Sequence, residues 1–138
     1  MRYIPIGAAA VAAAGLLGAG CGGASHQALP VVPVTERDFS IHVPHVVPAG
    51  QVRIVLTNKG PVSHELLIVH ATGGRLPRRA DGFTIAEDAV ARDLVGSLEP
   101  AGPGTRDLVI RLTPGRYIVF CNMAGHAASG MLTSFVVR

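Results

Sequence analysis

Residues 117–131 read YIVFCNMAGHAASGM. The apolar run Tyr117 to Phe120 has strand character and ends at Cys121. His126 follows after four intervening residues, and Met131 after four more. A thiolate, an imidazole and a thioether therefore share one short loop. Thiolate and thioether favour Cu(I), while imidazole accepts both Cu(I) and Cu(II). The set suits copper that cycles between the two states. A trigonal site still lacks one strong donor, which has to come from elsewhere in the chain.

Residues 50–70, GQVRIVLTNKGPVSHELLIVH, offer that donor. Val52 to Thr57 reads as a strand and runs into a polar turn, Asn58-Lys59-Gly60-Pro61. His64 then begins a second apolar run, Leu66 to Val69. One histidine at the start of a strand, with Cys, His and Met on a later loop, resembles the cupredoxins, the small type 1 (blue) copper proteins. The Cys-x4-His-x4-Met spacing is similar to that of rusticyanin, auracyanin and sulfocyanin, and longer than the loop of plastocyanin. The resemblance spans about Phe39 to Arg138. It implies one copper ion held by His64, Cys121 and His126, with Met131 as a long, weak axial ligand.

The residues around these positions support that reading. Tyr117, Val119 and Cys121 alternate onto one strand face, and an inward face would keep the sulfur dry. Each histidine would bind through one ring nitrogen, and the other nitrogen needs a partner or solvent. Met123 competes with Met131, but its place between Cys121 and His126 favours pointing out of the loop. Gly125 and Gly130 flank ligand positions and permit a tight, closely approaching backbone. Glu65, Asn122 and Gly125 are expected to surround the ligands without binding the metal. Many cupredoxins have Asn or Ser after the first histidine; Glu65 stands there instead. It could accept N–H bonds from the cysteine loop or face solvent. His26, His42, His45 and His70 read as ordinary histidines, and Pro44 argues against a regular His42/His45 metal pair.

Composition is consistent with one small domain and a leader. A net charge of +3 is too small to imply nucleic-acid binding. Only 4% of residues are aromatic, so the core must be built from Val, Leu and Ile. The two cysteines, Cys21 and Cys121, have separate explanations, which makes a disulfide scaffold an unsuitable reading. Residues 1–20 read as an export signal: Arg2, then a small apolar stretch ending LLGAGCGG across Cys21. This resembles a bacterial lipoprotein signal with Cys21 lipidated, although Gly18 stands where that pattern prefers Leu. The expected location is periplasmic or cell-surface, anchored to the membrane by lipid.

Residues 21–38 then read as a flexible tether, in which Val31 to Val34 could form a short strand. From Phe39 to the end the chain reads as successive strands. Pro114-Gly115 is expected to join two of them as a hairpin. Between them lies one excursion, where Thr84-x-x-Glu87 matches a capping box and Ile85 to about Arg92 is expected to be helical. Arg75, Arg78 and Arg79 form a basic group there: a solvated loop, or a docking patch for an acidic redox partner. The expected fold is all-β, a Greek-key cupredoxin sandwich with one short helical insertion.

Four protein ligands leave no position for a substrate, and outer-sphere electron transfer requires none. The expected function is one-electron transfer between redox proteins, such as a cytochrome or an oxidase or reductase, by a monomer without enzymatic activity. Copper trafficking or storage is the alternative, though only Met123 and Met131 remain beyond the leader. Multidomain copper oxidases and nitrite reductases need a further copper centre. A dinuclear copper-A centre needs two loop cysteines, and the loop holds only Cys121.

Overall fold

The computed structural model describes residues 28–138. The leader, Cys21 and the start of the expected tether lie outside the described residues. The described chain forms two sheets that face each other across a Val/Leu/Ile core. One sheet has the order β2-β1-β4-β7, from β1 (Val31–Arg37), β2 (Ser40–His42), β4 (Gly50–Asn58) and β7 (Gly104–Leu112). The other runs β3-β9-β8-β5-β6, from β3 (Val46–Val47), β9 (Leu132–Val137), β8 (Gly115–Phe120), β5 (His64–His70) and β6 (Leu94–Ala101). No helix among the described residues is long and apolar enough to cross a membrane.

Alternation explains most strands. In β4, Val52, Ile54 and Leu56 are buried, while their neighbours are exposed or half-buried. Each such side chain contributes roughly 1.5–3 kcal/mol by leaving water. β5 is different: Leu66, Leu67, Ile68 and Val69 are all buried. Leu66 and Ile68 face the main core, and Leu67 and Val69 pack with Ile85, Val90, Phe120 and Ala127. The excursion between β5 and β6 covers the outer face of this strand. An apolar run without alternation is the sequence mark of a strand covered on both sides.

Three expectations need correction. The tether ends earlier than residue 38, because Val31–Arg37 is β1, paired in parallel with β4 from Val31↔Arg53 to Glu36↔Asn58. Pro33 is accommodated because β2 pairs only with Thr35–Arg37, leaving the sheet edge open beside it. The helix is a single turn, α1 (Glu87–Val90), with Ala86 at its N-cap and no side-chain cap. Thr84 does not cap it, since its hydroxyl donates to Asp81 Oδ2 at 2.6 Å. The corner at Pro114-Gly115 joins β7 to β8 across the two sheets and is not a hairpin within one. Tyr117 braces that corner: its hydroxyl donates to the Thr113 carbonyl at 2.9 Å and accepts the Thr113 N–H at 3.1 Å.

Candidate metal centre

His64 is the first residue of β5 and shares an inward face with Leu66 and Ile68. Asn58 shapes the turn that delivers it. Its side-chain amide donates to the Val62 carbonyl at 2.8 Å, and its oxygen accepts the Gly60 N–H at 2.9 Å. Cys121 follows the last residue of β8 and continues the buried face of Tyr117 and Val119. The loop after it closes on itself. The Cys121 N–H donates to the Met131 carbonyl at 3.0 Å, and the Met131 N–H donates to the His126 carbonyl at 3.0 Å. Gly130, at φ +123°, leaves room for the Phe39 carbonyl, which a Cβ would meet at 2.8 Å.

These elements bring three donors together. His64 Nδ1 lies 3.2 Å from His126 Nδ1, and Cys121 Sγ lies 3.4 Å from the same nitrogen. The ligand atoms of His64, Cys121 and His126 all fall within 4.8 Å of one another. Bonds of about 2.0–2.3 Å from N and S donors to one ion in a trigonal plane require separations of this size. Two imidazoles and one thiolate in a trigonal set match the strong ligands of blue-copper sites. The residues present therefore fit copper. His42, His45 and His70 are not part of the group.

The electrostatics favour the neutral forms of Cys121 and His126. Burial pushes the Cys121 thiol up, partly offset by the backbone N–H groups of Glu65 and Met123. Burial, and then the neighbouring His64, hold the His126 imidazole below its ordinary value. A metal ion inverts this balance by replacing the thiol proton.

The surrounding residues divide by role. Met131 is fully buried in the main core and bonded by its backbone to both Cys121 and His126. Met123 is half-buried and packs against the same core. Glu65 is half-buried; its carboxyl is pushed up by burial and by Glu87, while the Asn122 backbone N–H pulls it down. Asn122 itself reaches away from the metal. Its amide pairs with both the N–H and the carbonyl of Ile85, at 2.6 and 3.0 Å, and donates to Glu87 Oε1 at 2.7 Å. It fastens the ligand loop to the excursion that carries α1. Gly125 takes φ +83° beside His126.

Two residues at the site lie outside the sequence expectations. Asp38 Oδ1 is 3.0 Å from His64 Nε2, and the Phe39 ring stands edge-on to His126 with centroids 5.4 Å apart. Both belong to the turn between β1 and β2. No local pattern marks them, because each contact joins residues far apart in the chain.

Comparison with known proteins agrees with this geometry. Solved structures share the sandwich, each at too low an identity to show more than the fold. Auracyanin from the photosynthetic bacterium Roseiflexus castenholzii matches with TM-score 0.59 and 18% identity, covering 81% of this chain and 99% of its own. Reduced rusticyanin matches with TM-score 0.56 and 20% identity, covering 81% and 82%. A further rusticyanin structure, described as a copper protein, matches with TM-score 0.58 and 21% identity, covering 78% of each chain. No curated protein matches the chain. Fold, donor set and the family match over residues 34–138 together define a copper-binding cupredoxin. Residues 34–138 match the sulfocyanin (SoxE) domain, and the chain belongs to that family.

Proposed function

We propose that the protein is an extracytoplasmic one-electron carrier, with copper held by His64, Cys121 and His126 and by Met131 as a weak axial donor. The burial gradient at the site carries this reading. His64 and Cys121 are fully buried, whereas His126 is 9% exposed and has the exposed Ala124 and Ala128 two residues to either side. Copper would alternate between Cu(II) and Cu(I), and electrons would cross at the edge of His126. Phe39, 47% exposed and packed on His126, adds an apolar surface where a partner can approach. Full burial of Met131 in the main core, where Met123 is only half-buried, favours Met131 as axial donor.

A cavity of about 670 Å³ lies beside the ligand loop and not over the ligands. Arg75, Arg78 and Arg116 line it, with Ala127 and Ala128 on its wall and no acidic residue among its lining. It suits the docking of an acidic redox protein, acting mainly on encounter rate. Arg79, grouped with Arg75 and Arg78 in the sequence, instead lies 3.7 Å from Asp88. The closed ligand set argues for a carrier without catalytic turnover. Lipid on Cys21 would hold this domain at the outer side of a membrane.

The test is the visible spectrum of the copper-loaded protein. Cu(II) should give an intense blue or green band from Cys121 sulfur-to-copper charge transfer. Cys121→Ser should abolish it. A wild-type protein that binds Cu(II) and stays almost colourless would overturn the carrier reading.

A further inference from the structure

The turn between β1 and β2 reaches over both histidines, and its acidic residue meets the one nitrogen of His64 that faces away from the metal donors. His64 Nδ1 points at His126 Nδ1, while Nε2 lies 3.0 Å from Asp38 Oδ1. The ring is fully buried, and the Asp38 side chain is 27% exposed. Gly60 makes the approach possible: a Cβ there would lie 2.4 Å from Asp38 Oδ1 and 3.1 Å from the Asp38 nitrogen. The carboxylate is wedged between the imidazole and the 58–60 backbone. Arg106, the nearest cation bonded to His64, takes the backbone carbonyl at 3.1 Å and leaves the ring to Asp38.

We propose that Asp38 is a positioning residue for the metal, holding the N–H of His64 at Nε2 and biasing the bound copper toward Cu(II). A neutral imidazole carries one N–H. With that hydrogen donated to Asp38, the lone pair must sit on Nδ1, facing Cys121 and His126. The ligand tautomer is then set before copper arrives. A carboxylate behind a ligating histidine also makes the ring a stronger donor. Its negative charge lies one ring away from the metal, and Cu(II) gains more from it than Cu(I). The reduction potential is therefore lower than the same three ligands would give without Asp38.

This inference rests on His64 being a ligand, and the experiment separates the two. Asp38→Asn keeps an oxygen that can accept the Nε2 hydrogen and removes the charge. Asp38→Ala removes both. Gly60→Ala displaces the carboxylate without altering it. Voltammetry on the copper-loaded proteins should show all three with raised potentials. The expected size is about a tenfold loss of Cu(II) affinity relative to Cu(I), or about 59 mV for one electron. On the copper-free proteins, ¹⁵N shifts of the His64 ring should report hydrogen on Nε2 in wild type and Asp38→Asn. Asp38→Ala should give a mixture of tautomers. Unmoved potentials in coloured variants would overturn the role of Asp38 and leave the carrier reading standing. Hydrogen on Nδ1 of His64 in wild type would overturn it without any reference to copper.

Discussion

Replacing Glu36 with glutamine should make the protein more stable at neutral pH and leave its acid stability almost unchanged. Glu36 is the last inward-facing residue of β1, after Val32 and Val34, and is fully buried. Neither carboxyl oxygen has a hydrogen-bond partner. Its pKa is pushed from 4.5 to about 7, by burial first, with Arg106 opposing and Glu65 reinforcing. The folded protein thus holds a proton that the unfolded chain gives up. Stability is fully present below pH 4.5 and is lost as pH rises toward 7. At about 1.4 kcal/mol per pH unit, the loss reaches about 3 kcal/mol. That figure is an upper bound, because Arg106 can turn toward an ionised carboxylate. Its present acceptors are only the carbonyls of Glu99 and His64.

Glutamine has its own burial cost, but that cost does not vary with pH. Urea denaturation of the copper-free protein and of Glu36→Gln, from pH 4 to pH 8, isolates the effect. The difference in stability should be flat below pH 4.5, grow in favour of the variant up to about pH 7, and then level off. The other titratable groups are the same in both proteins, and their contributions cancel in the difference. Parallel curves across the whole range would refute the reasoning and mean that Glu36 ionises freely in the fold.

Met131→Gln should lower the reduction potential, since an amide oxygen supports Cu(II), and Met131→Leu should raise it by removing a donor; both should keep copper and colour. Met123→Leu is the control, and a shift there with none at Met131 in voltammetry would exchange their roles. Mass spectrometry of the mature N-terminus should find lipid on Cys21; a free N-terminus beyond Cys21 would contradict the anchor and leave export intact.

The ligand loop was legible because its chemistry is local. Cys121 and His126 fall on one short segment beyond a strand, and His64 is marked by its own turn and apolar run. Local patterning likewise predicted β4, β5, β8 and β9, whose core residues show up as alternation or as an unbroken apolar run. The helical insertion was placed in the right excursion, but its capping box was misleading. Thr84 lies outside the helix and donates its hydroxyl to Asp81, and Asn122 took the Glu87 carboxylate that the box would have used.

What the sequence determined by itself was the group of His64, Cys121 and His126 and the class of sandwich that presents it, since residue type and short-range spacing carry both. Tertiary structure alone decided the rest. β1 pairs in parallel with a strand about twenty residues on, so no turn announces it, and Pro33 disguises it as linker. Its register buries Glu36 in a core position and carries the chain to a turn that sets Asp38 on His64 and Phe39 on His126. These contacts join residues that only the packing of two sheets brings together. A charged residue in a proline-containing stretch gives no sign of where its side chain will come to rest.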